Sequence, residues 1–147
     1  MFLTYFTDEM FMSGDGRSPG RFSVTLQDKS VLIVDDEYEM AMCVAALFRK
    51  VGAKVMRASS VDEAARYLSY FTFDLIVTDI NMPMQNGYDL LHLLQREHVP
   101  TPIVACSGAM DAYLSKQEGF AYKIEKPVDP DELIRLATEL TEHSVLS

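Results

Sequence analysis

The sequence of 147 residues has no tryptophan, only two cysteines and only three histidines. It has 13 lysines and arginines but 22 aspartates and glutamates. The net charge of -9 leaves no basic patch of the kind that binds a phosphate backbone, so no direct contact with nucleic acid is expected. Apolar runs of about 18 residues or more are missing, as is the basic and then apolar start of a signal peptide. We therefore expect no membrane span.

The few cysteines and histidines argue against a disulfide or a zinc site. Cys43 and Cys106 fall within apolar segments, which is typical of buried free thiols in a reducing compartment, and the cytoplasm fits this best. The histidines lie at scattered polar positions and lack the spacing of metal ligands: His92, His98 and His143.

The hydrophobic content of 48% is enough for one compact domain with an ordinary core. Residues 1–29 differ from the rest, because an aromatic and Met-rich start is followed by a stretch rich in glycine and serine. We expect residues 1–29 to be an N-terminal tail and linker, and residues 30–143 to form the domain.

Short apolar runs alternate with helix-period segments from Val31 onward, which predicts repeated strand and helix units around a parallel sheet. The runs at Val31, Leu75 and Ile103 do not alternate with polar residues, as expected for central strands covered by helices on both faces. Five strands are predicted, near residues 31–35, 53–58, 74–78, 102–106 and 120–124.

Local signals mark several helix boundaries. The apolar stripe of the first helix ends at Gly52, and Ser60 with Glu63 predicts a capping box at the start of the second. Pro130 suits the first position of the last helix. A short and mostly polar fourth helix is expected within residues 108–119.

Charged and hydroxyl side chains stand at the predicted carboxyl ends of the strands: Asp35, Asp36, Asp79, Ser107 and Lys126. Ligands of open parallel α/β sheets bind at this edge. Clustered carboxylates need a neighbouring positive charge, and an adjacent pair of them suits Mg²⁺, which uses one or two protein carboxylates together with water and phosphate oxygens. The pattern indicates Asp79 as a nucleophile toward a phosphoryl group, with Ser107 and Lys126 holding its oxygens.

Four segments resemble, in order and spacing, the receiver domain of two-component response regulators, over about residues 29–140. They are the acidic-pair strand, the acceptor loop with its Met-Pro and glycine, the hydroxyl position and the lysine position: Val31–Glu37, Asp79–Gly87, Ser107-Gly108 and Lys126-Pro127. The resemblance implies a flavodoxin-like, doubly wound, five-stranded parallel sheet of order 2-1-3-4-5 with helices on both faces.

The resemblance also implies the roles of the site residues. Asp79 would accept a phosphoryl group from a histidine of a sensor kinase. Asp36, Asp79 and the main-chain carbonyl of Asn81 would bind Mg²⁺, and Asp35 would reach it through water. Lys126 would pair with the phosphoryl group or with Asp79.

Ser107 would then approach the phosphoryl oxygens, and the bond between Lys126 and Pro127 is usually cis in the family. The aromatic switch of the family usually lies three residues before the lysine, where this chain has Lys123, while Tyr122 should face the other side of the strand. A change in the usual switch is therefore expected.

The function implied is signal transduction by a phosphoprotein, with self-phosphorylation and self-dephosphorylation as its only chemistry rather than turnover of an external substrate. The partners implied are a sensor histidine kinase or histidine phosphotransfer protein and a downstream protein target. The resemblance also leaves room for a homodimer, and for a receiver that stands alone or is excised from a hybrid kinase.

Two other functions compete with this interpretation. A receiver-like module that binds a protein without phosphorylation is suggested by Lys123 and by the short fourth helix. A Mg²⁺ phosphohydrolase of the haloacid dehalogenase type also uses an aspartate at a strand end, but it needs a second aspartate two positions later, where this chain has Asn81.

Overall fold

A computed structural model describes residues 26–108 and 119–146 of the chain. These residues form five strands and four helices in strict alternation until the last two strands. The elements are β1 (Ser30–Val34), α1 (Tyr38–Lys50), β2 (Lys54–Ala58), α2 (Val61–Tyr70), β3 (Leu75–Asp79), α3 (Gly87–Arg96), β4 (Ile103–Ser107), β5 (Tyr122–Glu125) and α4 (Pro130–Leu146).

The sheet is parallel throughout and has the order β2-β1-β3-β4-β5, which confirms the predicted topology. In the register at its centre, Val31 pairs with Val55 of β2 on one side and with Leu75 of β3 on the other. Because all strands run the same way, their carboxyl ends lie along one edge of the sheet. The five predicted strands are all present, with boundaries shifted by one or two residues.

Helices cover both faces of the sheet and divide the core into two apolar clusters. One cluster joins α1 and α4 to one face, with Phe48 and Leu133 fully buried in it. The other joins α2 and α3 to the opposite face around Leu32 and Leu90. The unalternating apolar runs of β1, β3 and β4 follow from this arrangement, because their side chains meet helices on both sides.

One residue that lies ahead of the expected domain boundary at residue 30 belongs to the core. Leu26, which the sequence places in the tail, is fully buried in the cluster of α1 and α4. Its carbonyl accepts a hydrogen bond from Lys29 N–H, and Asp28 N–H donates to the carbonyl of Gly52. The linker composition of the preceding residues hides this contact, because a single apolar residue carries it.

The start of α2 corrects one detail of the prediction. Ser60 Oγ accepts from the N–H of Glu63 at 3.1 Å, as a cap should. The Glu63 carboxylate, however, accepts from the N–H and hydroxyl of Ser59 rather than from Ser60. A reciprocal capping box occurs instead at α3, where Asn86 and Asp89 bond to each other's N–H groups.

The remaining expectations are met in part. Both cysteines are free and buried. Within the described ranges, no helix combines the length and the apolarity that a bilayer span requires. The short helix predicted within residues 108–119 and the side chain of His143 lie outside the described residues.

Candidate metal centre

Three carboxylates from two neighbouring strands meet at the carboxyl edge of the sheet. Asp35 and Asp36 directly follow β1, and Asp79 is the last residue of β3. One oxygen from each lies within 4.8 Å of the others. Asp35 and Asp79 are 6% and 5% exposed, while Asp36 is open to solvent. The acidic pair and the acceptor position that the sequence predicts are therefore brought together.

Lys126 supplies a positive charge to this group of acids. It directly follows β5, and its Nζ donates a hydrogen bond of 3.0 Å to Asp79 Oδ1. The same oxygen lies 3.3 Å from the N–H of Asn81. Burial works against the charge of the lysine, but the hydrogen bond and negative charge of Asp79 outweigh it and raise the pKa of Lys126. Lys126 is thus held in its charged form. The peptide bond between Lys126 and Pro127 is cis, as the resemblance implies.

Asp35 is the carboxylate with the most unfavourable surroundings. Burial raises its pKa to about 6, with a further contribution from the negative charge of Asp79, against the opposing effect of the hydrogen bond from Glu37 N–H. That bond measures 2.9 Å to Asp35 Oδ1. The cleft beneath the acids is lined by the apolar side chains of Met40 and Val44, which explains the burial.

Glu37 begins the first helix rather than joining the acids through its side chain. It is the N-cap residue of α1, with extended backbone and no side-chain capping bond. Its N–H group, not its carboxylate, contacts Asp35. The cluster of converging carboxylates is therefore formed by Asp35, Asp36 and Asp79.

Ser107 carries a buried hydroxyl at the same edge. It ends β4, which lies beside β3, and it is 1% exposed. Its Oγ has no hydrogen-bond partner among the described residues. A buried hydroxyl without a partner costs about 1–3 kcal/mol, so this group is poised to donate to an oxygen that a ligand brings.

The loop after β3 is shaped by a close backbone approach at Gly87. A Cβ there would lie 2.8 Å from the carbonyl oxygen of Asp79 and 3.1 Å from the Cα of Ile80. Both neighbours are backbone atoms that cannot move aside. The glycine therefore lets α3 start close to Asp79, and Gly87 N–H donates to the carbonyl of Ile80 at 2.9 Å.

The donors at this edge fit a magnesium ion. Mg²⁺ prefers carboxylate and carbonyl oxygens, keeps several waters, and binds beside phosphate groups. Three carboxylates within 4.8 Å of one another supply such oxygens, and their mutual repulsion would be relieved by a divalent cation. No histidine or thiolate belongs to this cluster, so the described donors do not resemble a zinc site.

One group near the acids was not predicted from the sequence. Arg57 of β2 donates from Nη2 to the main-chain carbonyl of Asp35 at 3.1 Å and to that of Asp36 at 3.4 Å. Its guanidinium also lies 5.2 Å from the ring centroid of Tyr38. The polar character of β2 is visible in the sequence, but the direction of this one side chain is not.

In the last strand, Lys123 occupies the position where the family usually has an aromatic residue, and Tyr122 faces the other side, as expected. Tyr122 pairs with Val104 and Lys123 with Ala105 in the β4–β5 register, so their side chains leave opposite faces of the sheet. Tyr122 is exposed and Lys123 is half-buried. The face that carries Ser107 therefore presents a lysine at the third position before Lys126.

Comparison with known proteins identifies the family. Residues 31–138 match the response regulator receiver domain. The chain is 33% identical over 107 residues to response regulator SaeR of Staphylococcus aureus and 30% identical over 104 residues to response regulator protein PilR of Pseudomonas aeruginosa. These alignments cover 71% and 69% of this chain, but only 46% and 23% of SaeR and PilR.

A relative of similar length and several solved structures agree. An uncharacterized 14.6 kDa protein of Leptolyngbya boryana is 31% identical over 120 residues, which are 78% of this chain and 92% of that protein. The receiver domain of Francisella response regulator 1452 superimposes with a TM-score of 0.74 at 26% identity, covering 80% of this chain and 99% of that one. Chemotaxis response regulator CheY4 of Vibrio cholerae gives a TM-score of 0.69 at 26% identity, covering 78% and 99%.

The match to the family extends over most of the described residues, and the acidic cluster lies at the sheet edge where such a fold binds its ligands. The chain belongs to the receiver domain family of two-component response regulators.

Proposed function

We propose that this receiver accepts a phosphoryl group on Asp79 from a phosphohistidine donor, with Mg²⁺ bound by Asp36, Asp79 and the carbonyl of Asn81. Asp35 reaches the ion through water. The observation that carries the proposal is the meeting of three carboxylates within 4.8 Å of one another, with the Lys126 ammonium 3.0 Å from Asp79. An acidic cluster with its own ammonium suits the transfer of an anionic group.

The transfer exchanges one phosphorus bond for another. A carboxylate oxygen of Asp79 forms a bond to phosphorus while the bond from phosphorus to the donor nitrogen breaks. The electron pair of the broken bond stays on the imidazole, which leaves as a neutral ring when its other nitrogen carries a proton. Dephosphorylation is a separate step with water: the water oxygen forms a bond to phosphorus while the bond from phosphorus to the Asp79 oxygen breaks. It releases inorganic phosphate and restores the carboxylate of Asp79.

Each neighbouring group has a separate task in this step. Bound Mg²⁺ supplies positive charge to the phosphoryl oxygens and to the acids around it. Lys126 already contacts Asp79 Oδ1, so its ammonium is close enough to pair with the negative oxygens of a phosphoryl group attached to Asp79. Ser107, whose hydroxyl has no partner in the described part of the chain, donates to a phosphoryl oxygen. That new bond couples the phosphoryl group to the end of β4.

The output is a change of protein surface rather than turnover of a substrate. A sensor kinase or histidine phosphotransfer protein acts as the donor, and a downstream protein target or a second copy in a homodimer receives the signal. The formal charge of -9 favours such protein partners over nucleic acid. Two free buried thiols support a reducing location, the cytoplasm.

Intact-mass measurement after incubation with Mg²⁺ and a small acyl phosphate tests the proposal. We expect the mass of one phosphoryl group to be added, to be lost on treatment with alkali or hydroxylamine, and to be absent when Mg²⁺ is chelated. Asp79→Asn should accept none, while Asp74→Asn, a change at the opposite end of the same strand region, should accept one. A folded wild-type protein that gains no mass contradicts the proposal.

A phosphorylation-independent binding module is the second candidate, favoured by Lys123 in place of the aromatic residue. A partner isolated with the wild-type chain distinguishes the two functions. Under the main proposal, an acyl-phosphate mimic such as beryllofluoride changes the affinity for that partner, and Asp79→Asn abolishes the change. Equal binding in all three states would favour the second candidate.

A further inference from the structure

Arg57 links the edge strand to the loop that carries the acidic pair. Its Nη2 donates to the carbonyl oxygens of Asp35 and Asp36, at 3.1 Å and 3.4 Å. These are successive peptide groups of the segment that leads from β1 into α1. One guanidinium group thereby restrains the backbone of both residues whose carboxylates face the metal site.

The same guanidinium contacts the first helix. Tyr38 is the first residue of α1, and its ring centroid lies 5.2 Å from the Arg57 Cζ atom, within the range of a cation–π interaction. Tyr38 is largely exposed. Arg57 therefore contacts both the loop and the first residue of the helix.

The loop has few other restraints. Asp35 N–H donates to the carbonyl of Ala58 at 3.0 Å, which fixes the first residue. Asp36 is exposed, and Glu37 provides no side-chain cap to the helix. The Asp35 carboxylate also accepts from Glu37 N–H at 2.9 Å, which closes a turn over Asp36. Arg57 adds a restraint on the carbonyl oxygens of Asp35 and Asp36 from a different strand.

We propose that Arg57 is a positioning residue for Mg²⁺, because it fixes the Asp35-Asp36 backbone so that both carboxylates face Asp79. This inference rests on the proposed function of the site, and it adds a residue that lies outside the group of acids, hydroxyl and lysine. Groups that orient metal ligands from behind commonly change metal affinity by 10-fold or more when removed.

A positioning role and a purely electrostatic role of Arg57 predict opposite changes in Mg²⁺ affinity, so the two roles can be distinguished by experiment. As a positive charge near a cation site, the guanidinium repels Mg²⁺, so a purely electrostatic role predicts tighter binding when it is removed. As a positioning group, it predicts weaker binding. Lysine keeps the charge but lacks the planar guanidinium that lies against the Tyr38 ring while its Nη2 donates to both carbonyls.

The test measures Mg²⁺ affinity by calorimetric titration of the full chain, with unfolding temperature in chelator as the check on folding. We expect Arg57→Lys and Arg57→Gln each to weaken Mg²⁺ binding by about 10-fold. The matched control is Arg49→Lys, because Arg49 also donates from Nη2 to a carbonyl of β2, that of Val55 at 3.4 Å, far from the acids. The Mg²⁺ affinity of Arg49→Lys should equal that of the wild type.

Tyr38 gives a second and milder pair of variants. Tyr38→Leu removes the ring and should weaken Mg²⁺ binding by about 2- to 4-fold. Tyr38→Phe retains the ring and should bind Mg²⁺ as tightly as the wild type. This pair decides the matter if the Arg57 variants fail to fold, since an exposed side chain is altered in both.

Three results would overturn the inference: Arg57→Lys with wild-type affinity, Arg57→Gln with tighter binding, or equal affinities for Tyr38→Leu and Tyr38→Phe. Wild-type protein that binds Mg²⁺ and accepts a phosphoryl group alongside any of these leaves the proposed function intact. Wild-type protein that binds no Mg²⁺ overturns both.

Discussion

Aspartates stand at both ends of β3, and their surroundings differ sharply. At the amino end, Asp74 N–H donates to the carbonyl of Ser30 at 2.8 Å, and Asp74 Oδ2 accepts from Ser30 N–H at 2.8 Å. At the carboxyl end, Asp79 shares its space with two further carboxylates and one ammonium. The first aspartate ties two strands together, whereas the second lies in a group that holds more negative than positive charge.

The difference separates structural from functional use of one residue type. A carboxylate oxygen that accepts from a backbone N–H stabilises the fold, as Asp74 does. Asp35 and Asp79 also accept from backbone N–H groups, but they lie in a cluster of three carboxylates. Carboxylates placed against one another cost free energy in the absence of a cation. Under the proposed function, the carboxyl end gives up stability in order to bind a ligand. Replacing one aspartate at each end should therefore change the stability in opposite directions.

Asp35→Asn should make the metal-free protein more stable by about 2 to 3 kcal/mol at pH 7, which follows from one pKa unit being worth about 1.4 kcal/mol. Folding raises the pKa of Asp35 from 3.8 to about 6, chiefly through burial. A carboxyl group with a raised pKa stabilises the fold when protonated. That stabilisation is complete below about pH 3.8 and is lost as the pH rises through about 6.

Urea unfolding in chelator across this pH range measures the effect. The advantage of Asp35→Asn over the wild type should grow between about pH 4 and pH 6 and then stay constant. Asp36→Asn is the matched control, because the exposed neighbour should yield a smaller gain. Excess Mg²⁺ should reduce the difference by stabilising the wild type. A less stable Asp35→Asn protein would contradict the strained character of this end.

Asp74→Ala should destabilise the protein by about 1 to 2 kcal/mol, because the half-buried Ser30 N–H loses its charged acceptor. Denaturant unfolding at pH 7 provides the measurement. The increase in stability on adding Mg²⁺ should equal that of the wild type, since Asp74 lies at the far end of the sheet. Unchanged stability, or an altered response to Mg²⁺, would remove the distinction between the two ends.

The acids of the site were predictable from the sequence because each directly follows an apolar run. In a parallel sheet, strand ends that are far apart in the chain meet at one edge, so the meeting of Asp35, Asp79 and Lys126 follows from topology alone. The same apolar runs predicted the five strands, whereas the strand order was implied by the resemblance to the receiver family. No side-chain conformation had to be known.

Features that depend on one side chain or one register were not predictable. The contact of Arg57 with two carbonyls requires both the β1–β2 register and a particular rotamer. Glu63 reaches Ser59 instead of Ser60, a choice between adjacent N–H groups that sequence patterns do not resolve. Leu26 belongs to the core although its neighbours have the composition of a linker.

Met84 offers the smallest and most local test of strain at the carboxyl end. It lies in the loop between Asp79 and α3, is fully exposed, and has a φ angle of 69°. Residues with a Cβ pay about 1 to 2 kcal/mol in this region, whereas glycine adopts it freely but loses about 0.5 to 1 kcal/mol of backbone entropy on folding. Met84→Gly should therefore stabilise the protein by about 0.5 to 1 kcal/mol in urea unfolding.

Met84→Ala separates backbone strain from the exposed side chain. Alanine keeps the Cβ, so it should give no gain, and a gain equal to that of glycine would mean that the methionine side chain, not the φ angle, is unfavourable. The gain in stability from Met84→Gly should be the same with and without Mg²⁺, because backbone strain at a φ angle of 69° does not involve charge. The gain from Asp35→Asn should instead decrease when Mg²⁺ is added. Strain in the loop and repulsion among the acids are then separate costs of the same end of the sheet.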